Sequence, residues 1–313
     1  MPKHPWECTT RSGRTMHVTT PKHCALPARR SCGIGQVKRP ACMLGASGVD
    51  ARIWQILSLS LLLIYGVSVL GFDQAPGNIA VIVLAALGTQ WLCGRIISGK
   101  AFDPLSPLIT ALSLCLLLRA SSPTVLVLAA MLAIGSKFAL RVDGKHVFNP
   151  GNFGIAVLLL VTDVAWISPG QWGSRTWMAF LFISLACLVL SRAKRADIAI
   201  VFLGSYVAIL LGRALYLGDP LAIPLKQMQS GALLLFTFFM ITDPKTTPDR
   251  RSARMLFAVL VAVTAAWLQY VRYMPHGLMY ALFFSSPIVP LLDRLLPRLR
   301  PEIRFEWSRP ILN

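Results

Sequence analysis

The chain has 313 residues, 55% of them hydrophobic and only 14% charged, with a net charge of +18. A soluble domain of this size carries about 25% charged residues, so the composition argues against a soluble enzyme and for a polytopic membrane protein. No nucleic-acid partner is expected despite the positive charge, because the basic residues are spread over the ends of apolar runs, as in cytoplasmic membrane loops.

Residues 1–50 read as a disordered, basic cytoplasmic tail. They are rich in Lys, Arg, Pro, Gly, Ser and Thr and show no sustained periodicity. No apolar stretch precedes Ile53, so no secretory signal is evident. Cys8, Cys24, Cys32 and Cys42 lie in this tail, and Cys93, Cys115 and Cys187 lie beyond it. None forms a CxxC pair, and neither a metal site nor an iron–sulfur cluster is expected.

Ten apolar segments follow, near 53–71, 79–97, 104–118, 123–140, 152–168, 176–191, 196–216, 228–242, 253–271 and 277–295. They predict an all-α transmembrane domain over residues 51–296, with a cytoplasmic tail over 297–313. With the N-terminus inside, the inner loops receive Arg52, Arg95, Lys100, Lys137, Arg141, Lys145, Arg192, Lys194, Arg195, Lys245, Arg250, Arg251 and Arg254, together with the cations of both tails. The outer loops receive only Arg119, Arg175, Arg213, Lys226 and Arg272. This bias predicts ten crossings of the bacterial inner (plasma) membrane with both termini cytoplasmic. Trp166, Trp172 and Trp177 are expected to form an aromatic belt at one outer loop.

Ten segments divide into two halves of five, the second inverted relative to the first. Segments 3 and 8, "DPLSPLITALSLCLLLRASSP" and "KQMQSGALLLFTFFMITDP", then occupy equivalent positions, and both fall short of the roughly 20 residues a crossing needs. Paired short segments in inverted halves point to a binding site near the membrane midplane. The alternative is two tilted helices in a locally thinned bilayer.

Two stretches could carry chemistry. In "TDPKT", Asp243 follows a helix end, where a carboxylate opposes the helix dipole. It is either a turn residue, favoured by Pro244, or a ligand to a cation or a cofactor hydroxyl. In "GKHVFNPGNFGIAV", Asn149-Pro150 breaks the chain before segment 5 and Asn152 can cap that helix; the two roles open to this stretch are helix start and ligand contact. Gly144-Lys145 lacks the glycine-rich run of a phosphate loop. His146 and His276 fall in loops, which argues against haem held by paired histidines. The glutamates, Glu7, Glu302 and Glu306, lie outside the segments, and Asp163 is the one acid well within a segment.

The pieces "SPLITALSLCLLL", "KHVFNPGNFGIAVLLL", "SGALLLFTFFMITDPKT" and "VPLLDRL" resemble, in order and spacing, the NqrB/RnfD family. These are the flavin-carrying membrane subunits of sodium-pumping NADH:quinone oxidoreductase and of the Rnf complex. The resemblance covers about residues 100–295. It implies ten helices in two inverted repeats, with electron transfer through flavin coupled to movement of sodium ion or proton, beside other membrane redox subunits in the lipid bilayer. It also implies that Asn149, Pro150, Asn152, Ser230, Gly231, Thr242, Asp243 and Thr246 line or brace the flavin and ion region. Family members with covalent FMN carry it on the threonine of an SGAT motif in the loop after helix 5. Here that loop has Thr176 but no SGAT, and the later Ser230-Gly231-Ala232 continues with Leu233. Riboflavin or FMN is therefore expected to bind noncovalently, with no covalent FMN. A second reading, of a different class, is a stand-alone transporter or channel on the same scaffold, serving a biosynthetic gene cluster of the enediyne type. A third is a membrane anchor without cofactor.

Overall fold

The computed structural model describes residues 50–98, 101–168, 172 and 196–296. Both predicted tails and segment 6, with Arg175, Thr176, Trp177, Arg192, Lys194 and Arg195, lie outside the described residues. The helices are α1 (Ala51–Ser68), α2 (Pro76–Cys93, extended to Ser98 by a π-helical turn), α3 (Leu105–Leu117), α4 (Pro123–Ala139) and α5 (Pro150–Val161). After them come α6 (Ala196–Leu217), α7 (Ala222–Met228), α8 (Gly231–Met240), α9 (Arg251–Tyr270), α10 (Gly277–Ser285) and α11 (Ile288–Leu295). Two short ribbons complete the fold. In the first, β1 (Leu118–Ala120) pairs antiparallel with β4 (Ala165–Ile167); in the second, β2 (Arg141–Val142) pairs with β3 (Lys145–His146).

Local chemistry sets many of the starts. Proline occupies the first turn of α2, α4 and α5, where its missing N–H would have no partner in any case. Ser122 Oγ caps α4 by accepting from Thr124 N, and Asn149 Oδ1 caps α5 by accepting from Asn152 N. Large apolar side chains such as Ile64, Leu84, Ile96, Ile200 and Leu215 face outward, an apolar exterior of the kind that lipid covers. Among the described residues, Pro76–Ile97, Ala196–Leu217 and Arg251–Tyr270 are long and apolar enough to cross a bilayer alone, and α10 with α11 does so as a bent pair.

The packing order repeats. In the first half α2 packs on α4 and α4 on α5; in the second, α6 packs on α9 and α9 on α10. Helices α5 and α10 meet across the halves. Small residues make both inner contacts close. A Cβ on Gly154 of α5 would lie 2.6 Å from the Ala129 carbonyl oxygen of α4, and one on Gly277 of α10 would lie 3.1 Å from that of Ala265 in α9.

The structure alters several sequence expectations. Segment 5 is not helical to residue 168: α5 stops at Val161, and residues 165–167 satisfy their backbone by pairing with β1. Segment 8 is broken at Gln229–Ser230, which leaves α8 spanning Gly231–Met240 and opening its second half into π-helical geometry over Phe236–Met240. Segment 10 bends by 45° between Ser285 and Ile288, where Pro287 interrupts it. Neither Lys137 nor Arg119 is a loop cation, since both are only 4% exposed. Arg119 donates from Nη1 to the carbonyls of Cys115 and Leu118, neutralising the C-terminal end of α3. Trp172 does not join an interfacial belt. It is 1% exposed and packs edge-on against Phe72, its ring centroid 4.7 Å away.

Candidate functional site

The first turns of α3 and the last turn of α8 border a common space. Between them, closed by the end of α4 and the start of α5, is a cavity of about 80 Å³. Ser106, Thr110 and Ser113 line it from α3, Lys137 from α4, and Thr242 and Asp243 from the turn after α8. Such a volume holds a few water molecules or a small ion. It adjoins a vestibule of about 680 Å³ walled by Trp91, Arg95, Phe102, Phe138 and Arg141. Ser106, Lys137, His146 and Lys245 line both spaces and form the wall between them.

Asn149 fixes the geometry. Its Oδ1 caps α5, while its Nδ2 donates to the Met240 carbonyl at 3.2 Å and reaches Asp243 Oδ2 at 3.5 Å. The negative end of α8 is thereby tied to the positive end of α5. This answers the electrostatic problem posed by Asp243, because the N-terminal dipole of α5 offsets a carboxylate that α8 alone would disfavour. Asp243 fills the turn role and also lines the cavity. Its Oδ1 accepts from Lys245 N at 3.0 Å to close the turn, and its Oδ2 faces Asn149 in the cavity wall. Thr246 braces that turn, donating from Oγ1 to the Asp243 carbonyl, and is buried.

Lys137 donates from Nζ to Ser106 Oγ at 3.0 Å and has no carboxylate within salt-bridge distance among the described residues. Burial, reinforced by the charges of Arg141, Lys245 and Lys137, pushes the His146 pKa down to about 3, so the ring is neutral at physiological pH. Its Nδ1 is buried with no hydrogen-bond partner among the described residues. Sequence reasoning overlooked Ser106, Lys137 and His146 as wall residues. The available signal was Lys137 itself, a cation inside an apolar run.

Of the eight predicted site residues, Asn149, Pro150, Thr242 and Asp243 line this cavity. Asn152 is fully buried behind it, donating from Nδ2 to the Met279 carbonyl, with Oδ1 lacking a partner among the described residues. Ser230 and Gly231 are not brought together with the others. They sit at the opposite end of α8, roughly 15 Å away at 1.5 Å per residue. Gly231 is required there for packing, since an added Cβ would come within 2.4 Å of the Trp172 ring. Ser230 instead lines a second cavity of about 190 Å³, with Tyr206, Gln227, Gln269 and His276. In this cavity Tyr206 OH donates to Gln269 Oε1 at 2.6 Å, and nearby Tyr270 OH donates to Gln227 Oε1 at 2.8 Å.

The sequence pieces that carry the family resemblance converge below the first cavity. Lys145 of the β2–β3 hairpin bonds Asp249 at 2.7 Å and Asp293 of α11 at 2.8 Å. Asp293 Oδ1 also accepts from Asp249 N at 2.8 Å. One ion cluster thus clamps the "KHVFNP", "TDPKTTPD" and "PLLDRL" stretches to one another.

Comparison with known proteins agrees with this convergence. The sequence model of the NQR2, RnfD, RnfE family matches residues 160–300. Among curated proteins, the D subunit of the ion-translocating oxidoreductase complex of Methanosarcina acetivorans is 28% identical over 274 residues, covering 79% of this chain and 89% of that protein. The proteins of the same name from Stutzerimonas stutzeri and Citrobacter koseri are 33% and 32% identical over 99 and 124 residues. These two matches cover 28% and 39% of this chain, and 27% and 34% of the relatives. With its clamped motif stretches, its polytopic apolar helices and the match over residues 160–300, the chain is similar to the NQR2, RnfD, RnfE family of membrane proteins.

Proposed function

We propose that the chain is the D-type membrane subunit of an ion-translocating oxidoreductase complex, working as a noncovalent flavoprotein on a scaffold of ten crossings in two inverted halves. The observation that carries this reading is the meeting of two short helices, the start of α3 and the end of α8, at a charged cavity that adjoins a vestibule. The repeated packing order, α2–α4–α5 and α6–α9–α10, supports the inverted halves. Arg52, Arg95, Arg141, Lys145, Lys245 and Arg254 gather at the end of the bundle that holds the vestibule, which supports a cytoplasmic assignment for that end.

A flavin is too large for the cavity of about 80 Å³ but suits the vestibule, whose 680 Å³ falls within the usual range for cofactor sites. Trp91, Phe102 and Phe138 offer ring faces there, and the unpartnered Nδ1 of His146 offers a hydrogen-bonding edge. When bound, the flavin would supply electron transfer in one- or two-electron steps. Asp243 is the one carboxylate among the described residues lining the inner cavity, and with the Thr242 hydroxyl it would hold a small cation. Lys137 and Ser106 separate the two spaces and would couple the charge state of one to the other. The stand-alone transporter reading keeps the same cavity and dispenses with the flavin.

Purification in detergent followed by absorbance spectroscopy tests the proposal. Flavin bands should be present, the chromophore should be released on denaturation, and the intact mass should equal that of the polypeptide. Colourless protein would overturn the flavin reading in favour of the transporter, and a covalent adduct would overturn its noncovalent part.

A further inference from the structure

Three hydroxyls of the inner cavity donate back into the helices that carry them. Thr110 Oγ1 donates to the Ser106 carbonyl at 3.2 Å, Ser113 Oγ to that of Ile109 at 3.0 Å and Thr242 Oγ1 to that of Phe238 at 2.6 Å. All three side chains line the space. A hydroxyl that commits its one proton to its own helix keeps its remaining lone pair for what lies in front of it. With the Asp243 carboxylate in the same wall, these oxygens suit a small, hard cation.

Three cations, Arg52, Lys137 and Lys245, border the same space, against one carboxylate among the described residues. Arg52 is committed to Asp50 and Asp103. Lys245 is half-buried and also lines the vestibule, with Arg95, Arg141 and the neutral His146, so its ammonium can turn toward water. Lys137 is different. It is buried, enters from the end of α4, and uses one of its three ammonium protons on Ser106 Oγ at 3.0 Å. Asp243 stands across the water-sized cavity from it, and the two make no direct salt bridge. A buried ammonium is costly without a counter-charge, and Asp243 supplies one. A monovalent cation added between them would face the Lys137 charge at close range in a poorly screened space.

We propose that Lys137 is a tethered competitor for the cation site at Asp243. Its ammonium balances the carboxylate when no ion is present, and an alkali cation enters against it as the side chain withdraws past Ser106 toward the vestibule. This rests on the reading above that Asp243 and Thr242 hold a small cation, and it names the residue that sets how tightly. A cavity of about 80 Å³ has room for an ion and little water besides, so the two positive charges exclude each other. The resident ammonium keeps the site weak, and an ion that must be passed on needs a site it can leave.

Equilibrium binding of radioactive sodium to the purified full chain in neutral detergent tests this, with thermal unfolding to check that each variant is folded. Lys137→Met, which keeps the length and removes the charge, should tighten sodium binding about tenfold. Lys137→Arg should stay as weak as the wild type. Lys245→Met should change the affinity by less than about threefold, since water screens that ammonium. Asp243→Asn should abolish binding, alone and combined with Lys137→Met. If Lys137→Met does not fold, Lys137→Ala carries the test: sodium should bind more tightly there, and ethylammonium, taking the vacated space, should compete with it. Sodium binding that depends on Asp243 but is unchanged or weakened when Lys137 is replaced overturns the competitor and leaves the cation reading standing. Equal tightening by Lys245→Met also overturns it, because the effect would then belong to net charge and not to this side chain. No sodium binding in any folded variant, those at Lys137 included, overturns both.

Discussion

The cavities at the two ends of α8 are built alike and furnished differently. Each is walled by the first turns of a short helix, the last turn of the helix that follows it, and the start of the next. In one these are α3, α4 and α5; in the other, α8, α9 and α10. A polar link closes each frame, Lys137 to Ser106 in the first and Tyr270 to Gln227 in the second. The first carries Arg52, Lys137, Lys245 and Asp243, whereas the described walls of the second have amides, hydroxyls and an imidazole but no charged side chain beside them. One scaffold can thus hold two chemistries, and the chemistry has to be read from the wall residues rather than from the fold.

The helix starts that border the cavities should separate them most. Asn149 both caps α5 and satisfies the Met240 carbonyl, so Asn149→Ala should cost about 2–4 kcal/mol, the sum of a lost cap and an unsatisfied buried group. Ser230 at the start of α8 makes no side-chain cap bond, so Ser230→Ala should change stability by less than about 0.5 kcal/mol. Equal losses in thermal unfolding would show that the two starts are not different in kind.

The close contacts behind the cavities come next. Gly154→Ala should cost about 1–3 kcal/mol, because the new methyl meets a backbone carbonyl that cannot move alone. Gly277→Ala, with its nearest neighbour at 3.1 Å, should cost less. The reverse order would mean that the second half is the more rigid one.

A smaller effect is expected from pH. The folded-state pKa of His146 lies near 3, below the ordinary value of 6.5. The unfolded chain therefore binds this proton first on acidification. The stability that neutral His146 contributes is complete above about pH 6.5 and is lost as pH falls toward 3, by at most about tenfold in the unfolding equilibrium per pH unit. His146→Gln should flatten that slope. His276 at the other cavity is shifted in the same direction by burial, and its removal should flatten the slope in the same sense.

Much of the fold was legible because apolar runs ended at recognisable signals. Pro76, Pro123 and Pro150 open helices, and the short third and eighth segments were visible as runs too brief for a bilayer. The end of α5 was not legible. Residues 164–167, Val-Ala-Trp-Ile, are apolar enough for either helix or strand, and only pairing with residues 118–120 decides between them. The charged site was half legible. Asp243 announces itself as a turn acid, but the cap expected at Asn152 falls instead on Asn149, whose Oδ1 accepts from Asn152 N because Pro150 already takes the first helical position. Lys137, two residues before the end of α4, reads as a loop cation until packing places it inside. Ser230 and Gly231 were grouped with Asp243 because a motif is continuous in sequence, while a helix sends its two ends to opposite sides of the molecule.

The central claim is that the charged end of this frame, and not the neutral one, holds the flavin. It is tested most directly by filling each cavity in turn and measuring bound flavin per polypeptide on folded, monodisperse protein. Ser106 and Ser230 stand at matching places, at the starts of α3 and α8. Ser106→Phe should strip the flavin severalfold, whereas Ser230→Phe should leave it at the wild-type ratio. Loss of flavin in Ser230→Phe with full retention in Ser106→Phe would contradict the account and move the site to the other end of α8.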